Sequence, residues 1–450
     1  MHTMSFRKAV FFGIIRIRGI RLGSFYKRFL QEDRDGISAD TSKKLLIQLL
    51  LHCRQSVPHY AAVILRMGDS FLEYPEEYLR NFPILTKDTI RRHFRELKST
   101  DLSRRRWYVD HTSGSTGEPI EFIHDWNFAA QAGAIKILFS KLVGREIGEC
   151  EVYLWGSRKD ISRNTKNTIS CYINKITNTI YLDPLCMTPD RMREYIAILN
   201  AKRPKLIITY TEAIYQLAKF VESTGLEVLP QGSIITTAET LYPFMREKIE
   251  KTFRCKVFNR YGSREMGDIA CERPGCEGLW VAPWGNYIEI VDDAGNRLQD
   301  GNEGEILVTS LTNYAMPFVR YRIGDRGFIS PKKGVDQTKH EQVLGGILGR
   351  DTDTFRGRDG VLIHGSFFVS MLWSKNWVSK YQVVQKGNSL IVFRIVRSGI
   401  DYQQADVDEI KAKTKSVMGS DCKVEFEFVK DISPNLSGKN RHIISEVKGE

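Results

Sequence analysis

Between residues 40 and 105 the apolar positions fall at helical spacing, as in Leu45, Leu46, Leu49 and Leu50. Thr86-Lys87-Asp88 then opens a charged stretch in the manner of a helix cap. From Trp107 the pattern changes. Short apolar runs (Glu151–Trp155, Leu206–Tyr210, Ile234–Thr236) alternate with longer mixed stretches such as Pro189–Asn200 and Glu212–Ser223. That alternation predicts βα units and a largely parallel sheet. Over 277–330 the strand-like runs are broken at Asp292–Asn296 and Asp300–Gly304, which predicts hairpins and an antiparallel or barrel-like subdomain. A boundary is expected near Gly349-Arg350. Beyond it two strands, Gln382–Gln385 and Ser389–Val396, meet at Lys386-Gly387-Asn388. A helix follows over Gln403–Met418, then a strand over Lys423–Val429. The predicted class is α/β with α+β subdomains. Residues 1–105 form a helical segment of the large domain, 106–349 a core with the barrel-like part at about 277–349, and 350–450 a small α+β module.

The chain has 450 residues, enough for two or more domains, and 42% are hydrophobic. Its net charge of +12 favours anionic partners. Nucleic acid is not expected, because no nucleic-acid-binding signature occurs and the aromatics are not interleaved with basic residues in one stripe. Eight scattered cysteines without a secretory signal read as free thiols in a reducing compartment. Cys271 and Cys276, with Cys255 upstream, have a loose zinc-like spacing without evident partner ligands, and free thiols are the preferred reading. No apolar run reaches the ~20 residues that span a bilayer. Phe6 to Leu30 mixes Val10, Phe11, Phe12, Ile14, Ile15, Ile17 and Ile20 with seven Arg and Lys residues. Two readings stay open for it: a basic amphipathic helix in peripheral contact with an anionic membrane, or a first helix packed on the domain.

The densest chemistry lies at Thr112-Ser113-Gly114-Ser115-Thr116-Gly117, where hydroxyls and glycines let the backbone and side chains approach an anion. It is not a Walker loop, since no lysine closes it. Five further stretches follow in order: Thr236–Thr240, Asn259–Glu265, Val319–Asp325, Leu348–Asp353 and Pro434–Arg441. This ordered set resembles the adenylate-forming superfamily, which includes acyl-CoA synthetases, luciferases and peptide-synthetase adenylation domains. Leu50–Tyr60 with its Val57-Pro58-His59-Tyr60, Pro83-Ile84-Leu85-Thr86-Lys87, and Arg320-Tyr321-Arg322-Ile323-Gly324-Asp325 are similar to the phenylacetate–CoA ligase branch and its CapK-like members. The likeness runs from about residue 40 to the end.

The resemblance implies an ATP-dependent ligase that joins a carboxylate to AMP and passes the acyl group to a thiol, such as that of CoA, or to an amine. The 112–117 loop would hold the β- and γ-phosphates, with Thr112, Ser115 and Thr116 donating. A basic residue often follows the second glycine in the family; here Glu118-Pro119-Ile120 stands there. Glu265 would ligate Mg2+, as a hard cation prefers a carboxylate oxygen. Tyr261, beside Gly262, would stack on adenine, with Ala238 and Glu239 lining the base pocket. Asp325 would accept from the ribose hydroxyls, and Arg350 would hold ribose or phosphate. Lys439 would neutralise charge growing between carboxylate and α-phosphate. The small module would swing about a hinge usually Asp or Lys; here it is Thr352. The acyl end would lie near Trp155-Gly156-Ser157, Tyr210-Thr211 and Asn259-Arg260, and Arg158, Lys159 and Arg260 suggest a polar acid. CapK-like proteins are associated with surface polysaccharide pathways, which would place the chain in the cytoplasm, at the inner face of the membrane. The competing reading is a scaffold that keeps the fold and binds nucleotide or membrane without catalysis.

Overall fold

The computed structural model describes residues 2–38, 40–112, 120–155, 168–184, 187–331, 342–350, 354–357, 362–372, 375–433 and 441–447. It divides into two compact units, 1–323 with 327–347, and 348–450 with 324–326.

The first unit begins with helices. His2–Ile17 buries Phe11 and Ile15 against Ile147, with Ile173 and Ile176 alongside, and Lys8 pairs with Glu146 at 3.0 Å. Phe11 and Ile15 are thus covered by the protein itself, while Phe6 and Ile17 stay exposed. Among the described residues no helix is long and apolar enough to cross a membrane. Thr41–Ser56 buries Leu46, Leu49, Leu50 and Cys53 along one stripe, and Pro58 opens the next helix, Pro58–Met67. Thr86 caps Lys87–Arg92 by accepting from the Thr89 N–H at 3.1 Å.

Strands β1 (Trp107–His111) and β2 (Glu121–Asp125) form an antiparallel hairpin. Asp125 ends β2 and caps helix Trp126–Leu142, accepting from the Phe128 N–H at 2.7 Å. Five strands follow: β3 (Glu151–Leu154), β4 (Thr179–Leu182), β5 (Leu206–Tyr210), β6 (Ser233–Thr237) and β7 (Lys256–Ser263). They pair in parallel in the order β4-β3-β5-β6-β7. β3, β5 and β6 are buried along their whole length because both faces are covered. Helix 126–142 packs on one face through Ala134, Leu138 and Phe139, and helices Pro189–Lys202, Thr211–Thr224 and Pro243–Phe253 pack on the other.

The remaining strands of this sheet are β8 (Gly267–Cys271), β9 (Leu279–Val281), β10 (Asn286–Val291), β11 (Gly304–Ser310), β12 (Tyr321–Ile329) and β13 (Val343–Arg350). The sequence pattern suggests an antiparallel or barrel-like subdomain here. The pairings of β7 with β8, β8 with β9, β9 with β13 and β10 with β11 are antiparallel, and the strands extend the parallel ones as a single eleven-stranded hydrogen-bonded sheet, continuing β7-β8-β9-β13-β12-β11-β10. The turn from β7 into antiparallel β8 is where the direction changes.

In the second unit β14 (Thr354–Arg356) pairs with β15 (Leu362–His364). A four-stranded sheet orders β16 (Val378–Gly387), β17 (Leu390–Arg397), β18 (Lys423–Phe428) and β19 (Ile443–Ser445) as β18-β17-β16-β19. Helix Gln404–Met418 joins β17 to β18. The central hairpin is longer than its apolar core suggested. Gly387 pairs with Leu390, so the turn shortens to Asn388-Ser389, and polar residues such as Lys380 and Arg394 join the ladder.

Segment 313–322 ties the first unit together. The buried Asn313 amide donates to Ile123 O at 2.8 Å, and Tyr314 N–H donates to Asp125 at 3.2 Å. His52 bonds Tyr314 O at 2.9 Å. The Tyr60 hydroxyl donates to Pro317 O at 3.1 Å and accepts from the Val319 N–H at 3.3 Å. Leu85 brackets Tyr321, accepting from Arg322 N–H and donating to Arg320 O. Arg320 itself has a left-handed backbone (φ 49°) and is 2% exposed. Its guanidinium pairs with Glu289 at 3.1 Å and donates to the carbonyls of Arg80, Phe82 and Gly295. Arg320→Met leaves Glu289 buried without its cation, and breaking such a pair costs about 3–5 kcal/mol. Arg91→Met removes an exposed pair with Asp88 and is expected to cost under about 1 kcal/mol. Urea unfolding midpoints of the two variants measure the contrast.

Candidate active site

The hydroxyl-rich stretch is the loop of the β1–β2 hairpin. Thr112 N–H donates to Ile120 O, and Ile120 N–H donates to the Thr112 hydroxyl oxygen, both at 3.0 Å. The Thr112 oxygen thus closes the neck of the loop, and its own proton is still available to donate. Residues 113–119, including Ser113, Gly114, Ser115, Thr116 and Gly117, lie outside the described residues.

The hairpin reaches Glu265 through His124 on β2. His124 Nε2 lies 3.0 Å from the Glu265 carbonyl, which can only accept, so Nε2 carries the proton. The ring stacks on Phe128 with centroids 4.0 Å apart. Burial holds the His124 pKa below its ordinary 6.5, although the bond to Glu265 and the nearby Asp110 pull upward. From the other side the buried Tyr321 hydroxyl donates to Glu265 Oε1 at 3.1 Å. Glu265 is 9% exposed. Its backbone is fixed from β2 and its carboxylate from β12, and among the described residues Oε2 has no partner.

Tyr261 and Gly262 lie on β7, where a bulge separates their pairings with β8. A Cβ at Gly262 would come within 2.4 Å of the Gly267 carbonyl, so only glycine fits this close strand approach. At the end of β6, Ala238 takes a left-handed conformation (φ 73°), a strain of roughly 1–2 kcal/mol for a residue with a Cβ. Expected as a liner of the base pocket, Glu239 turns its carboxylate to the N-terminus of helix Thr211–Thr224. It accepts there from Glu212 N–H at 2.8 Å, and its carbonyl accepts from the Thr211 hydroxyl at 3.1 Å. Ala238, Glu239, Tyr261, Gly262 and Glu265 therefore occupy the carboxyl ends of β6 and β7, where open α/β sheets bind ligands.

Asp325 lies on β12 and Arg350 ends β13; both count with the second unit. The Arg350 side chain, Thr352 and Lys439 lie outside the described part. Of the residues expected at the acyl end, Trp155, Tyr210 and Thr211 are described. Arg158 and Lys159 are not. Arg260 is not the open polar group the sequence suggested. It is 4% exposed and pairs with Asp268 at 3.2 Å. Cys271 is buried and Cys276 half-buried, and neither is in a disulfide. Among the described residues no group of three or more His, Cys, Asp or Glu is placed to hold a metal ion. Sequence reasoning missed His124 and Tyr321. His124 has no motif around it, and the spacing along the chain gives no sign that either side chain meets Glu265.

This arrangement is the fold of the adenylate-forming CoA ligases. The structure of 2-hydroxyisobutyryl-CoA ligase in its postadenylation state with 2-HIB-AMP superposes with a TM-score of 0.69 over 91% of each chain, at 17% identity. ATP-bound MatB from Rhodopseudomonas palustris gives 0.54 over 74% of this chain and 65% of its own, at 16% identity. In sequence the chain is similar to CapK. Protein CapK of Staphylococcus aureus is 24% identical over 400 residues, 88% of this chain and 87% of that protein. Residues 355–446 match the CapK C-terminal domain. The phenylacetate-coenzyme A ligase of Thermus thermophilus is 28% identical over a shorter stretch, 35% of this chain and 37% of that enzyme.

Burial lowers the pKa values of His52, His59 and His124 alike. Each is held neutral when folded, so its contribution is complete above its ordinary 6.5 and is lost as pH falls through the lowered value. Urea midpoints are expected to fall between pH 7.5 and 5.5, and His124→Gln is expected to flatten part of that slope.

Proposed function

We propose that this chain is an ATP-dependent carboxylate ligase. It forms an acyl-adenylate with release of pyrophosphate and passes the acyl group to the thiol of CoA. A carboxylate is a poor electrophile, and its attack on ATP brings two anions together. Catalysis therefore rests on positioning and on neutralising charge. The observation that carries the reading is the clamp on Glu265. A buried carboxylate with one oxygen fixed and one left over suits Mg2+, which takes one or two carboxylates and fills its other positions with water and phosphate. That ion would supply charge neutralisation at the phosphates.

In this reading the chain's own groups bind and orient. Thr112, Ser115, Thr116 and the 113–117 backbone donate to phosphate oxygens from the hairpin loop. Tyr261 offers a ring face to adenine, and the left-handed turn at Ala238 shapes the adjoining wall. The Glu239 side chain supports that wall through helix 211–224 and leaves base contacts to the backbone. Asp325 accepts from the ribose, Arg350 holds ribose or phosphate, and Lys439 brings an ammonium to the reacting carboxylate. Amines are the alternative acceptors, amino sugars of surface polysaccharide assembly among them. The competing reading is a non-catalytic scaffold, against which a carboxylate held from two directions weighs.

Carboxylate-dependent ATP–pyrophosphate exchange is the test. Lys439→Ala is expected to lower it at least 100-fold with an unchanged circular dichroism spectrum, and Glu265→Gln to raise the Mg2+ concentration needed for half-maximal exchange. Absence of exchange across a broad acid panel, amino acids and uronic acids included, would transfer the weight to the scaffold. Adding CoA or candidate amines to an active pair then shows which acceptor releases AMP.

A further inference from the structure

The helix Trp126–Leu142 crosses the parallel sheet on the face opposite helices 189–202 and 211–224. Phe128 and Ala132 on it approach Gly267, at the start of β8, and would lie 3.6 and 3.3 Å from a Cβ placed there. One turn further along the same face is Lys136, roughly 6 Å on at 1.5 Å of rise per residue. Its ammonium stands over the Tyr153 ring at 5.0 Å and the Trp155 ring at 5.6 Å. Tyr153 stacks on Tyr181 at 5.1 Å, and Trp155 meets Tyr210 at 6.2 Å. Tyr153 lies on β3, and Trp155 directly follows that strand. Lys136 is partly exposed and has no carboxylate partner among the described residues. Basic residues nearby in the chain do have carboxylate partners: Lys141 on the same helix pairs with Glu146, and Arg145 after it with Glu151 on β3.

A lysine taken partly out of water gains from a partner for its charge. Here it has an aromatic floor and, beyond that floor, the carboxyl ends of the strands that carry Ala238, Tyr261 and Gly262. We propose that Lys136 is the specificity-determining cation of the acyl site, and that the acid activated here carries a second anionic group, which its ammonium meets about one helical turn from the adenylate end. Arg260 cannot serve in that place, being buried and paired with Asp268. The inference rests on the ligase reading given above but has a readout of its own.

Calorimetric titration of the full-length chain without nucleotide compares matched acids: propionate with malonate and succinate, and phenylacetate with 4-carboxyphenylacetate. The wild-type chain is expected to bind at least one diacid tenfold or more tighter than its monoacid. Lys136→Met is expected to erase that preference and Lys136→Arg to retain it, with both variants matching wild type in circular dichroism. ATP–pyrophosphate exchange with the same acids is expected to show the preference in KM, with kcat little changed in Lys136→Met. A preference that survives in Lys136→Met, or an absence of diacid binding, overturns the proposal. Exchange without diacid preference overturns it too and leaves the ligase reading standing. Lysine-dependent diacid binding without exchange upholds the subsite and removes the ligase reading.

Discussion

One guanidinium holds the large unit in register. Arg320 is buried on a left-handed residue, pairs with Glu289 of β10, and donates to carbonyls at residues 80, 82 and 295. Three chain segments that share no local sequence therefore meet at one side chain. A cation in that position must find several acceptors at once, since desolvation is repaid only by near-complete pairing. The residues beside it complete the arrangement. Tyr60 and Leu85 lock onto 317–322, and Tyr321, the next residue, delivers its hydroxyl to Glu265. The site's central carboxylate is thus positioned by the same segment that joins the helices to the sheet.

Much of the architecture is legible from periodicity alone. Helical spacing over 41–67, buried strand runs at β3, β5 and β6, and the hairpin signals beyond residue 277 all reappear as elements. Local pattern could not reveal that the antiparallel strands extend the parallel sheet, because sheet order is set by pairings between distant residues. The motifs were legible as places and less so as roles. Arg320-Tyr321-Arg322 reads as the opening of a motif in which only Asp325 has a ligand role. In the structure Arg320 is an internal bolt and Tyr321 a brace. The sequence places Glu239 at the base pocket and Arg260 at the acyl end; in the structure the Glu239 carboxylate accepts at a helix N-terminus and Arg260 pairs with Asp268. Their partners lie 27 and 8 positions away, and composition gives no hint of either. Lys136 sits in a largely apolar helix, and the rings of Tyr153 and Trp155 beneath its ammonium mark it out.

The two unusual backbones near the ligand edge differ in kind. Gly262 is demanded by space, since the opposite strand occupies the volume a side chain needs. Ala238 is tolerated in spite of strain, because the Glu239 contacts to helix 211–224 hold the turn. Together they bring backbone amides and carbonyls of β6 and β7 close to whatever occupies that edge, and such proximity favours flat or anionic ligands over bulky apolar ones.

The bond between Tyr60 and Pro317 spans 257 positions. At ~5–20 residues synthesised per second, roughly 10–50 s separate the appearance of the two ends. For that interval the helices over 41–97 have been made but the strands that cover Leu46, Leu50, Phe71 and Leu79 have not. The nascent chain thus carries a broad uncovered apolar surface on the ribosome, which makes the first hundred residues the natural point of engagement for a chaperone.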